Sequence, residues 1–310
     1  MKSWIPLVIL VGLNSCSSAP PAKEEVFEKR NLATQYMEFG NRYYQEADYP
    51  QALQLYILAK NYFISVDDTE GIIGSYNALG KTYLRLGMPS EAEAHISFAL
   101  DLAKGSGKSR LILQTVNHLA GIHLQGSNIA KAYTLLEEYR AQVPQTSPWT
   151  VEHGVYFHNL GAALHGLKRF TEAEQMASQA ATINLGLKNY GELASNHYLL
   201  ALIRQNQDNF SQALSDAETA LRYDKQMENS LGIAQDLLLL GFLKEKSGNH
   251  LEAFDYYSRS FLVYRSMNHQ GGMNRSLKRL EEVAEKSGKT LETKLYREAR
   301  EALESAKTVP

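Results

Sequence analysis

Apolar and small residues recur along this chain with a long, regular period. Around Tyr36, Phe39, Gly40 and Tyr43 they fall at i, i+3 and i+7, the spacing that gathers side chains on one stripe of an amphipathic helix. The small residue of that stripe returns at Gly40, Gly80, Ala120, Gly161, Ala201 and Gly241, at successive distances of 40, 40, 41, 40 and 40 residues. Twelve residues beyond each stands an alanine, at Ala52, Ala92, Ala132, Ala173, Ala213 and Ala253. Seven further on come Ala59, Ala99, Tyr139, Ala180, Ala220 and Ser260. Breaks such as Asp48-Tyr49-Pro50, Gly87-Met88-Pro89 and Gly248-Asn249 divide each period into two helices, and polar stretches such as 67–71 and 145–148 divide one period from the next. The pattern therefore predicts six two-helix units from about residue 33 to 266, with the small residues where the paired helices approach most closely.

Those residues carry a family resemblance. The first unit has Tyr36, Phe39, Gly40, Tyr43, Ala52, Tyr56 and Ala59; the second has Tyr76, Leu79, Gly80, Tyr83, Ala92, Ile96 and Ala99; the fourth has Phe157, Leu160, Gly161, Leu164, Ala173 and Ala180. In these the chain resembles the tetratricopeptide-repeat (TPR) family. The resemblance implies an all-α, right-handed α-solenoid that holds part of another protein in its groove. The period of 40 exceeds the family's 34, which assigns about six extra residues to the second helix and the loop after it. Longer-period members of this kind resemble those in signalling adaptors and transcriptional regulators.

In related arrays the first helix of each unit lines the concave face with its second, fifth, ninth and twelfth places. Carried over by resemblance, the candidate partner-binding residues are Asn41, Tyr44, Asn77, Lys81, Arg85, Asn117, His158, Tyr198 and Leu202. The early units contribute polar and mildly basic side chains. Asn41, Asn77, Lys81 and Asn117 resemble in kind the clamp by which some family members grip a carboxylate. The later units are more apolar, adding Gln205, Gln235, Leu238, Phe242 and Glu245 to Tyr198 and Leu202.

Residues 1–15 have the layout of a secretory signal peptide: Lys2, an apolar run over 4–13, then Asn14 and Ser15 before Cys16. The run is about half the ~20 residues a membrane-crossing helix needs, so removal of the leader is expected. Leu13-Asn14-Ser15-Cys16 resembles the bacterial lipobox, which implies cleavage before Cys16 and acylation of its thiol and new amino terminus. Asn14 departs from the usual small or branched apolar residue. Ser17 after the cysteine resembles export to the outer membrane. Residues 16–30 then form a lipidated, polar tether, 31–266 the six repeats, and 267–310 a C-terminal cap of two helices over 273–286 and 290–307.

Composition narrows the function further. Lys plus Arg number 32 against 34 Asp plus Glu, so no field of one sign points to nucleic acid. With Cys16 the single cysteine, no internal disulfide forms. Gly105-Ser106-Gly107-Lys108-Ser109 looks like the end of a phosphate loop, but Leu102 stands where the pattern needs glycine, and Gly105 is read as the end of a helix. His158 with His165, and His118 with His123, lack metal-site spacing and partners. No catalytic constellation stands out, so neither enzyme activity, cofactor nor metal is expected. The sequence points to a lipid-anchored scaffold at the periplasmic face of the outer membrane, supporting assembly or export of an envelope complex in the manner of pilotins or assembly subunits. A ligand-binding accessory of a solute transporter, or an envelope signalling adaptor, is the alternative.

Overall fold

A computed structural model describes residues 27–144 and 147–305. Its fourteen α-helices run α1 Glu28–Gln45, α2 Tyr49–Ser65, α3 Thr69–Arg85, α4 Pro89–Ser106, α5 Ser109–Gln125, α6 Ile129–Glu138 and α7 Val151–Gly166. They continue as α8 Phe170–Gly186, α9 Tyr190–Asn206, α10 Phe210–Gln226, α11 Ser230–Lys246, α12 His250–Ser266, α13 Gln270–Lys286 and α14 Thr290–Ser305. Consecutive helices pack in antiparallel pairs, and each pair stacks on the next, giving an all-α solenoid of the TPR type. Among the described residues no helix is long and apolar enough to cross a membrane. Cys16 and the leader lie outside the described residues.

Within a pair the small residues do what the period implies. A Cβ on Gly241 would come within 2.5 Å of the Tyr257 ring, and one on Gly161 within 3.2 Å of backbone atoms of Ala173 and Ala177. Between pairs the seal is a leucine on the first helix, as when Leu79 packs against Ala52 and Tyr56 of the preceding pair.

The connections correct one expectation. Most linkers are three residues long, with the middle one in the left-handed region, as at Ala47, Lys188 and Gly248. The backbone N–H after it turns back to the helix it leaves, for example Asp48 N to Tyr43 O at 2.9 Å. The residues beyond the family's usual period therefore lengthen the helices and not the loops. Gly107, and not Gly105, ends α4, taking the left-handed position at φ 66°.

The third pair is the exception. Its α6 has ten residues, because Pro144 and Pro148 bar further helix, and the chain crosses to α7 through a 3-10 turn at Arg140–Gln142. At the C-terminus, α13 starts at Gln270, three residues before the expected position, with Gly271 and Gly272 inside it; Gly272 lies under the Tyr264 ring, where no side chain fits. The pair α13–α14 keeps the register, with Leu280 at the leucine place. Glu281 replaces the small residue and accepts from Arg297 Nε at 2.7 Å and Arg300 Nε at 3.2 Å.

Candidate functional site

First helices of neighbouring pairs touch one another, α1 with α3, α3 with α5, α7 with α9, and α9 and α13 with α11. The odd-numbered helices therefore form the inner, concave wall. Their polar side chains divide into those that tie one helix to the next and those left for a ligand.

Most of the expected amides belong to the first group. Asn77 is buried and donates from Nδ2 to Thr115 Oγ1 at 3.0 Å, bridging α3 and α5. Asn117, also buried, donates from Nδ2 to the Glu152 main-chain carbonyl at 2.8 Å, and its main-chain carbonyl accepts from Asn159 Nδ2 at 3.1 Å. His158 Nδ1 pairs with Asn196 Nδ2 at 2.9 Å, joining α7 to α9, and Asn184 donates to Asn196 Oδ1 at 2.8 Å. Burial pushes His158 down to about 4, and burial with the Lys81 charge pushes neighbouring His118 down to about 3, so both imidazoles are neutral at physiological pH. Asn41 Oδ1 accepts from Tyr56 at 2.8 Å, tying α1 to α2.

What remains in the first half is Tyr44, Lys81 and Arg85. Lys81 Nζ sits 5.6 Å from the Tyr44 ring centre. Crowding in the concave wall and the nearby Arg85 charge lower its pKa, while Glu192, reaching in from α9, opposes that shift. The amides expected in a carboxylate clamp with Lys81 thus bond from one helix to another, at Asn41, Asn77 and Asn117. Among the described residues no group of His, Cys, Asp or Glu could hold a metal ion.

The second half holds a recess of about 540 Å³ lined only by α9, α11 and α13. Its floor is Tyr198, Leu238, Leu239 and Phe242, with Gln205 and Gln235 beside them. One wall carries Arg275, Lys278, Arg279 and Glu282. Arg279 is bound to Glu282 at 2.9 Å and lies 5.2 Å from the Phe242 ring centre. Arg275 and Lys278 have no ion-pair partner among the described residues, so their charge is available to an incoming group. Burial, with help from Asp236, pushes the Tyr198 hydroxyl up to about 12, so it stays a donor. Leu202 packs into the core between pairs with Ala201 and Leu237 and does not line the recess. The three cations fall in the segment that the sequence marks as a cap. Their spacing, i, i+3 and i+4, was the available signal of a shared helix face. A hollow of about 590 Å³ at the solenoid edge, lined by Phe27, Arg30, Asp68, Glu70 and Lys108 among others, holds the ion pairs Arg30–Asp68 and Lys108–Glu70.

No family profile matches the chain, and no curated protein matches it in sequence. Solved structures do. The apo quorum sensor NprR from B. thuringiensis aligns over 89% of this chain and 77% of its own at 16% identity, TM-score 0.67. Apo RapI aligns over 88% and 97% at 12% identity, TM-score 0.64. The Rap conjugation gene regulator of plasmid pLS20, in complex with the Phr* peptide, aligns over 94% and 82% at 14% identity, TM-score 0.65. At these identities the likeness is one of fold: a TPR-like helical solenoid.

Proposed function

We propose that this protein is an interaction scaffold that holds an extended segment of a partner protein in its concave groove, with the recess of α9, α11 and α13 as the principal contact. The observation that carries the reading is the recess itself: an apolar floor walled by Arg275 and Lys278, which have no ion-pair partner among the described residues, Arg275 lying 5.9 Å from the Tyr264 ring centre. Such a site suits a segment that sets an apolar side chain on Leu238 and Phe242 and a carboxylate against the two cations. A regulator of the same fold has been solved with a peptide, which supports a peptide-sized ligand here. No catalytic step is part of the proposal.

The leader and Cys16 support an anchored form of the scaffold, at the periplasmic face of the outer membrane, serving assembly or export of an envelope complex. Fatty-acid labelling in cells should mark the wild type and fail to mark Cys16→Ala; label on both, or on neither, defeats the anchor.

The groove is tested separately. A photo-crosslinking amino acid placed at Leu238 should trap a protein partner, whereas the same probe at Leu251, exposed on α12, should not. Adding Arg275→Glu with Lys278→Glu should cut the yield at position 238 at least tenfold, because each hydrogen bond to a charged group contributes roughly 1.5–3 kcal/mol. Equal trapping at both positions, or trapping indifferent to the charge reversal, places recognition elsewhere.

A further inference from the structure

The first helix pair lacks something that each of the six later pairs has. Forty or so residues beyond Phe39, and again in every pair after that, stands a leucine packed on the second helix of the preceding pair: Leu119 beside Ala92 and Ile96, Leu280 beside Ala253 and Tyr257. Leu79, Leu119, Leu160, Leu200, Leu240 and Leu280 are all between 0% and 7% exposed. Among the described residues no pair precedes Phe39, which is 44% exposed. Tyr36, Phe39 and Tyr43 follow one another on a stripe of α1, and the Tyr36 ring meets Tyr62 of α2 at 5.7 Å, one turn beyond exposed Leu58. Arg42 lies over the Phe39 ring at 5.5 Å, a cation at the rim of this apolar end face.

Several occupants fit poorly. The ten residues between Cys16 and Phe27, Ser-Ser-Ala-Pro-Pro-Ala-Lys-Glu-Glu-Val, offer Val26 as their one sizeable aliphatic side chain. A second copy stacked head to tail would set Phe39 on α14, where Thr293 and Arg297, forty residues beyond Ala253 and Tyr257, replace the apolar seat and Arg297 is bound to Glu281. A copy joined head to head would cover two helices about 26 Å long set ~10 Å apart, on the order of 500 Å² per partner, against the ~800 Å² of a stable interface. A bilayer surface sets no such threshold. Phe and Tyr beside an arginine is the composition that settles at the lipid–water boundary.

Resting on the reading of Cys16 as a lipid anchor, we propose that the end face of α1 and α2 seats on the bilayer through Phe39 and Tyr43. The chain from Cys16 to Phe27 spans at most about 40 Å, so the anchor holds this end, and no other, beside the membrane. Confinement of that kind makes a weak surface contact sufficient. The solenoid then stands with its first pair on the lipid and the recess of the fifth to seventh pairs facing away from it.

The test uses the mature chain from Cys16 onward, coupled through its single thiol to maleimide lipid in vesicles of phosphatidylethanolamine and phosphatidylglycerol, so attachment does not depend on cellular acylation. Phe39→Trp is compared with Leu251→Trp, and the wild type supplies the background of Trp149. Lipids brominated in their acyl chains should quench the probe at position 39 at least threefold more than the probe at 251. Equal quenching overturns the seat. Absence of quenching at 39 together with a doubled particle mass in lipid-free solution names a second copy as the occupant and overturns it as well. The fatty-acid labelling of Cys16 reports on the anchor alone, so the two failures are told apart.

Discussion

Asp236 lies where α11 meets α10, 1% exposed, with Asp224 beside it. Burial first, and the Asp224 charge second, push its carboxyl up to about 9, so it holds a proton at neutral pH. In the unfolded chain it titrates near the ordinary carboxylate value. Its contribution to stability is therefore complete in acid and is lost as pH rises from about 4 toward 9, at up to ~1.4 kcal/mol per unit. His118 and His158, held neutral, act in the opposite sense: their contribution is present above the ordinary histidine range and is lost as pH falls below it. Asp236→Asn should flatten the alkaline limb, so that melting temperatures of variant and wild type diverge between pH 5 and 8.5. Parallel curves would mean that Asp236 is ionised in the fold. At this scale the sequence discloses residue types but not their direction. Asn77 and Asn117 are amides on the inner helices, as expected; whether an amide points across to the next helix or into the groove depends on the neighbour forty residues on. Arg275, Lys278 and Arg279 were hidden for the opposite reason, since their recess is completed by Tyr198 and Phe242 from two other pairs.

Each pair stands or falls on its closest approach. At Gly161 a new methyl would press on the backbone of α8 at 3.2 Å, which has no rotamer with which to yield, whereas at Gly191 in α9 it meets nothing within 4 Å. Gly161→Ala should destabilise by about 1–3 kcal/mol, and Gly191→Ala should be neutral or stabilise by up to ~1 kcal/mol. Denaturant midpoints measure both, and equal shifts would contradict the close contact. This level was the most legible, because a helix pair needs its small residues at fixed places and six of the pairs show them. The seventh reads in sequence as a cap because its second helix is charged along much of its length; Glu281 and Thr293 occupy the places of glycine and alanine. Only a structure shows that two arginines fill the gap a small residue would have closed. The short α6 was equally obscure; Pro144 and Pro148 advertise a break, but not that Tyr139 and Val143 remain buried through it.

For the molecule as a whole, the recurring three-residue linkers have a metric consequence. Most pairs are joined in the same way, and each of the six later pairs offers the same leucine to its predecessor, so the solenoid is a ruler graduated in units of about 10 Å, the spacing of packed helices. One graduation is removable. Deleting residues 69–108, forty in all, joins Asp68 to Ser109; Asp68, whose side chain caps α3 through Gly71 N at 3.1 Å, would then cap α5. Leu119 would take the seat of Leu79 on Ala52 and Tyr56, leucine for leucine. The shortened chain should remain helical and melt cooperatively, and in detergent its probe at Leu238 should still trap the partner. On membranes, where the partner's own height is fixed and the first pair sits on the lipid, trapping should fall sharply. Undiminished trapping on membranes would mean that the number of pairs does not set the working distance between lipid and recess.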